Sequence, residues 1–138
     1  MAQGAVVFVI CLIAGFRIEN SLLLPVAIVF MFLIALLFTS IGTAIGSVLQ
    51  DMQGFPLIMN FLVMPLFFFS GALFPATGLP KALQFALRLN PLTYGVDGLR
   101  GSLSNTYAFS MATDFIVLSI LTAILLAIGS YFFSKIQL

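Results

Sequence analysis

The 138 residues contain no histidine and one cysteine, Cys11, which sits inside an apolar run. That excludes a Ser-His-Asp or Cys-His centre, a haem ligand pair, the usual zinc sites and an internal disulfide. Charge is scarce as well, at 7% of residues, against about 25% in an average soluble domain. The charged residues are Arg17, Lys81, Arg88, Arg100 and Lys135, with Glu19, Asp51, Asp97 and Asp114 opposing them. Neither lysine follows a glycine-rich phosphate loop, so G-x-x-x-x-G-K-[ST] binding of ATP is excluded. A net charge of +1 spread along the chain offers no basic stripe for nucleic acid. No catalytic residue, metal ligand or cofactor site is expected. What is abundant is apolar, 62% of residues. So few charges cannot solvate a compact 14.9 kDa domain, and the solvent this sequence implies is lipid.

Hydrophobic runs divide the chain into four membrane segments, at about residues 2–16, 22–49, 55–74 and 115–133. The first has no Lys or Arg before its apolar stretch, and Ala14-Gly15-Phe16 does not place small residues at both cleavage positions, so it reads as a helix rather than a signal peptide. Its abrupt apolar start leads to the expectation of a helix continued from a longer protein, the alternative being a short or tilted first helix. The second carries Pro25 near its start and ends in a tight turn, Gln50-Asp51-Met52-Gln53-Gly54. The third holds Pro56 in its first turn and Pro65 in its middle, where a kink is expected. Thr113 or Asp114 is the expected cap of the fourth.

The stretch between the third and fourth segments is neither a spanning helix nor a polar loop. Pro80 to Leu89 reads as a short amphipathic helix with Lys81, Gln84 and Arg88 on one stripe. Asn90-Pro91 stops it and starts a second, Asn90 as cap and Pro91 as first helical residue. Two half-length helices at about 80–103 predict a hairpin that enters one leaflet and returns. Irregular backbone at that depth must be covered by protein or face a water-filled cavity. The fold class is therefore all-α, one polytopic membrane bundle over residues 1–138 with about four transmembrane helices and a re-entrant hairpin between the last two.

The run Phe67-Phe68-Phe69-Ser70-Gly71-Ala72-Leu73-Phe74-Pro75, then Leu79-Pro80, then Asn90-Pro91-Leu92-Thr93-Tyr94-Gly95-Val96-Asp97-Gly98-Leu99-Arg100 resembles the C-terminal half of type-2 ABC exporter permeases. These are membrane subunits of drug, polysaccharide and lipid-linked exporters, the nodulation-factor type among them. The resemblance implies that the four segments correspond to the last four of six transmembrane helices. It implies a second permease copy, homo- or heterodimeric, and a separate ATPase subunit that supplies the energy. It also implies a multi-pass protein of a prokaryotic plasma membrane with its hairpin outside and its C-terminus in the cytoplasm. Counting Lys and Arg alone puts the hairpin inside; the resemblance is followed, because upstream segments can set the orientation.

Several residues have two readings each. Gly42 and Gly46 form a G-x-x-x-G that suits close helix packing, within the subunit or between copies. Asn60, an amide inside the third segment, needs an interhelical partner or a polar cargo. Phe67 and Phe68, with Met59 and Met64, form an adaptable wall for amphiphilic cargo or ordinary apolar packing. Pro75, Asn90, Pro91, Tyr94, Asp97 and Arg100 make up the hairpin motif. Within it Asp97 and Arg100, three residues apart, are expected to pair, for neutralisation or for gating at the exit. Asp51 is either a cap or a contact with the ATPase. The function expected is that of an export permease for an amphiphilic or glycolipid-like substrate. The competing readings are an ion-coupled multidrug carrier and a structural membrane subunit. By this parse every carboxylate lies at a segment end or in the hairpin, which disfavours proton coupling.

Overall fold

The computed structural model describes residues 2–15, 17–18, 21–51, 53–74 and 78–136. Every regular element among them is helical: α1 (Ala2–Ile13), a 3-10 turn at Ser21–Leu23, α2 (Leu24–Val48), α3 (Gly54–Phe68), α4 (Lys81–Leu89), α5 (Pro91–Ser104) and α6 (Met111–Ile136). The helices through Ser21–Val48 and Met111–Ile136 are long and apolar enough to cross a bilayer. At about 1.5 Å per residue the 15 residues of α3 reach about 22 Å, short of a hydrocarbon core of about 30 Å. The 12 residues of α1 reach less.

The core is formed by α2, α5 and α6 packed on one another. Phe30 and Leu37 of α2 and Leu118 of α6 are fully enclosed, with Ile34, Phe38, Tyr94 and Leu125 around them. The rings of Phe30 and Phe115 meet edge to face at 6.3 Å. Helix α6 buries a single stripe, Asp114, Leu118, Thr122 and Gly129, at the spacing of one helical ridge. Phe30 lies opposite Phe115 and Ser40 opposite Gly129, so α2 and α6 run parallel. Helix α3 returns antiparallel to α2, with Phe55 over Gly46 and Met59 over Gly42.

Helix α5 enters between α2 and α6 through its glycines. A Cβ at Gly95 would lie 2.6 Å from Ile34, and one at Gly98 would overlap the Phe30 ring. Only glycine lets the three backbones come this close. Gly98 lies beside Phe30 and Gly95 beside Ile34, one turn further along α2, so the N-terminal, Asn90-Pro91 end of α5 is its deep end.

Burial is inverted relative to a water-soluble domain. Among the described residues, eight polar or charged side chains are enclosed against six hydrophobic ones, while large apolar side chains such as Ile13, Leu57 and Phe61 face outward. That distribution belongs to a chain whose surface meets lipid and whose interior holds the polar groups.

Two boundaries differ from the sequence expectation. The third segment leaves the helix at Phe68 rather than about residue 74. Ser70 Oγ takes up the Phe67 carbonyl and Gly71 turns left-handed at φ 75°, where side chains with a Cβ are strained. Helix α6 starts at Met111 and is capped by Ser110, whose Oγ accepts from Thr113 N at 3.2 Å, so neither Thr113 nor Asp114 is the cap. Asp114 instead points inward and is fully enclosed.

Candidate functional site

The end of a helix exposes carbonyls with no intrahelical partner, and these need donors from elsewhere in the chain. The end of α3 poses this problem, and the α4–α5 hairpin answers it. Asn90 Nδ2 donates to the Leu66 carbonyl at 2.6 Å. Thr93 Oγ1 donates to the Phe69 carbonyl at 3.3 Å, and Arg100 Nη2 to those of Gly71 at 2.9 Å and Ala72 at 3.5 Å. Locally, Phe69 N and Ser70 N take the Pro65 and Phe67 carbonyls. Asn90, Thr93 and Arg100 lie three and then seven residues apart along the start and one face of α5, so a single helix supplies donors to the Leu66, Phe69, Gly71 and Ala72 carbonyls.

The hairpin holds itself together by the same means. Asn90 Oδ1 accepts from Leu92 N at 3.0 Å, the N-cap of α5. Tyr94 Oη donates to the Arg88 carbonyl at the end of α4, and its ring packs on Phe109 at 5.5 Å. Asp97 accepts from Ala108 N at 2.8 Å and Phe109 N at 2.7 Å, fixing the loop that leads into α6. The expected Asp97–Arg100 pair is not formed: Arg100 reaches toward the carbonyls at the end of α3 and Asp97 toward the loop amides, although both line one small cavity.

The other singled-out residues are placed as follows. Gly42 and Gly46 face Met59 and Phe55 at 3.9 and 3.6 Å from where a Cβ would stand, ordinary contact distances that an alanine would fit. Asn60 is exposed on an outward stripe of α3 with Leu57, Phe61, Met64 and Phe68, and among the described residues no interhelical hydrogen bond holds its side chain. Phe67 is half exposed beside Phe68. Phe68 also lines an apolar hollow of about 360 Å³ with Phe69, Phe74, Leu79, Leu83 and Leu87. Asp51 is exposed in the α2–α3 turn, where its Oδ1 accepts from Gln53 N. Pro91 is the first residue of α5. Pro75 lies outside the described residues.

Sequence reasoning missed Thr93, the α5 glycines and the inward turn of Asp114. The glycines had a signal, a G-x-x-G-x-x-G at Gly95, Gly98 and Gly101, which reads as poor helix former until a partner helix is known to press on it.

An inverted interior, two helices long and apolar enough to cross a bilayer and a hairpin bonded to the end of α3 describe a helical membrane domain. Residues 1–104 match the family model described as ABC-2 type transporter, and the chain belongs to that family. It is 30% identical over 97 residues to nodulation protein J of Rhizobium leguminosarum bv. trifolii, covering 70% of this chain and 36% of that protein. It is 31% identical over 68 residues to nodulation protein J of Rhizobium meliloti (strain 1021), covering 49% of this chain and 26% of that protein. The chain thus spans about a third of the length of the curated relatives it matches. No solved structure matches.

Proposed function

We propose that this chain forms a wall and the outer mouth of the translocation pathway of an ABC exporter. The observation that carries the reading is the hydrogen-bonded union of the α4–α5 hairpin with the end of α3. It makes a rigid, partly polar cap over a helix too short to span, while the far side of α3 remains apolar and open. A second permease copy facing the Leu57–Phe68 stripe would close a conduit with Asn60 in its wall. The apolar lining suits an amphiphilic or glycolipid-like cargo.

Energy comes from a separate ATPase subunit, whose contact on this chain is the exposed turn around Asp51, at the opposite end of α3 from the hairpin. The membrane is the plasma membrane of a prokaryote, with the hairpin outside and the C-terminal end of α6 inside. Family membership and the bonding of the α4–α5 hairpin to the end of α3 support this arrangement over a structural subunit. The test is uptake of a fluorescent amphiphile into everted membrane vesicles carrying the permease and its ATPase. Transport that needs ATP, stops with a hydrolysis-deficient ATPase and survives collapse of the proton gradient supports the reading. Transport that persists without ATP and fails with the gradient establishes an ion-coupled carrier instead.

A further inference from the structure

The apolar hollow of about 360 Å³ lies between the unwound end of α3 and helix α4. Leu83 and Leu87, four residues apart on one stripe of α4, form one wall with Leu79, and Phe68, Phe69 and Phe74 form the other. Leu87 is buried, and its Cδ2 stands 3.7 Å from the position of a Cβ on Gly71, which closes the floor. The three phenylalanines are half exposed, so the hollow opens outward between their rings. The adjoining stripe of α4 is cationic. Lys81 and Arg88, seven residues and two turns apart, are both exposed. Gln84 between them is folded back, its Nε2 donating to the Leu79 carbonyl at 2.9 Å. The described acids are placed elsewhere: Asp97 on the Ala108 and Phe109 amides, Asp114 enclosed, and Asp51 in the α2–α3 turn at the opposite end of α3. Two cations with none of these acids beside them therefore border a hollow with apolar walls, and a guanidinium exposed to lipid is costly without an anion.

We propose that the hollow seats one acyl chain of an anionic phospholipid from the surrounding bilayer, with the lipid phosphate held on the Lys81–Arg88 stripe. An apolar hollow alone takes any chain, and a cationic stripe alone takes any anion. Their juxtaposition on one nine-residue helix selects a molecule that carries both. Amphipathic helices with basic residues on the polar face lie at the headgroup boundary and bind anionic lipid in this way, the long basic side chains reaching up to the phosphates. A second copy of this chain is a poorer occupant: it brings two more cations, while its described acids are engaged, enclosed or at the far end of α3. The site rests on the reading of the α4–α5 hairpin as lying in one leaflet, and needs neither a particular side of the membrane nor a particular cargo. The seated chain packs α4 against the end of α3, beside the hydrogen bonds that Asn90 and Arg100 make there.

The test is photolabelling of the assembled permease in bilayer nanodiscs with phosphatidylglycerol that carries a diazirine in one acyl chain. Peptide mapping is expected to find adducts on residues 68–74 and 79–87 in excess of those on the other apolar surfaces. Unlabelled phosphatidylglycerol is expected to displace them on the order of ten times better than phosphatidylcholine, since each basic side chain near an anionic headgroup contributes several-fold. Lys81→Gln combined with Arg88→Gln, both at exposed positions, is expected to erase that preference. Leu83→Trp, which fills the hollow, is expected to remove the hairpin adducts while labelling of α6 persists. Adducts spread over the lipid-facing helices in proportion to exposure, or equal displacement by the two lipids in the unsubstituted chain, would overturn the proposal. So would hairpin adducts that form only after the permease is dissociated into single copies, which would make the hollow a face between copies. Labelling reads binding without transport, so loss of the adducts and loss of ATP-driven uptake are separate failures.

Discussion

The side-chain amide of Asn90 bonds the main-chain carbonyl of Leu66 at 2.6 Å across 24 residues of sequence, while its carbonyl oxygen caps α5 at Leu92 N. One residue therefore ends one helix and begins another. Its two roles separate by substitution. Asn90→Ser keeps a cap and abandons Leu66, at an expected cost of about 1–3 kcal/mol for a buried carbonyl left unpaired. Asn90→Ala loses the cap too, for roughly a further 0.5–2 kcal/mol. Thermal unfolding in a bilayer mimetic should rank wild type above serine and serine above alanine.

Arg100 secures the unwound run beyond α3 through a charge-assisted bond, of a kind that contributes about 1.5–3 kcal/mol. Replacing it with methionine keeps the apolar stem and loses the donors. In a Cys11→Ser background, a cysteine at Leu73 should then react faster with a thiol reagent than in the same background with Arg100 intact. Equal rates would show that Arg100 does not hold the segment.

Glycine substitutions should divide sharply. Gly98→Ala drives a methyl into the Phe30 ring and is expected to cost about 1–3 kcal/mol, with part recovered by Phe30→Leu. Gly42→Ala meets only Met59 Cε at 3.9 Å and should stabilise α2 by up to about 1 kcal/mol. Unfolding midpoints of the three variants check both statements.

The all-helical class was legible because 20-odd residues of apolar sequence admit no other membrane solution. The Asn90-Pro91 break was legible because cap and first-turn proline are local chemistry. The end of α3 was not. Phe69 to Phe74 is as apolar as the helix before it, and it unwinds because its carbonyls find donors 24 to 29 residues away on α5. Asp97 and Arg100 misled for a related reason: spacing of three permits a pair, but each side chain met a stronger claim from backbone that no local pattern reveals. Asp114 read as a helix cap because an acid before an apolar run commonly is one; Ser110 took that place and freed it to turn inward.

Asn60 gives a prediction that separates fold from pathway. It is exposed on the single chain, so Asn60→Leu should leave unfolding within about 0.5 kcal/mol of wild type. On the proposed pathway, in which the amide lies in the conduit wall or against a second copy, the same change is expected to lower transport. Unchanged transport would remove Asn60 from the wall.

The hairpin's membrane placement is the claim on which the pathway reading stands, and it is tested most directly by thiol labelling of single cysteines in intact cells. Lys81→Cys at the entry of α4, Thr106→Cys beyond the end of α5 and Asp51→Cys in the α2–α3 turn are exposed positions, each placed in a Cys11→Ser background. A membrane-impermeant reagent is expected to label positions 81 and 106 from outside and position 51 only after permeabilisation. Labelling of 81 and 106 from opposite sides would mean that the α4–α5 segment spans the bilayer, and would contradict the re-entrant hairpin.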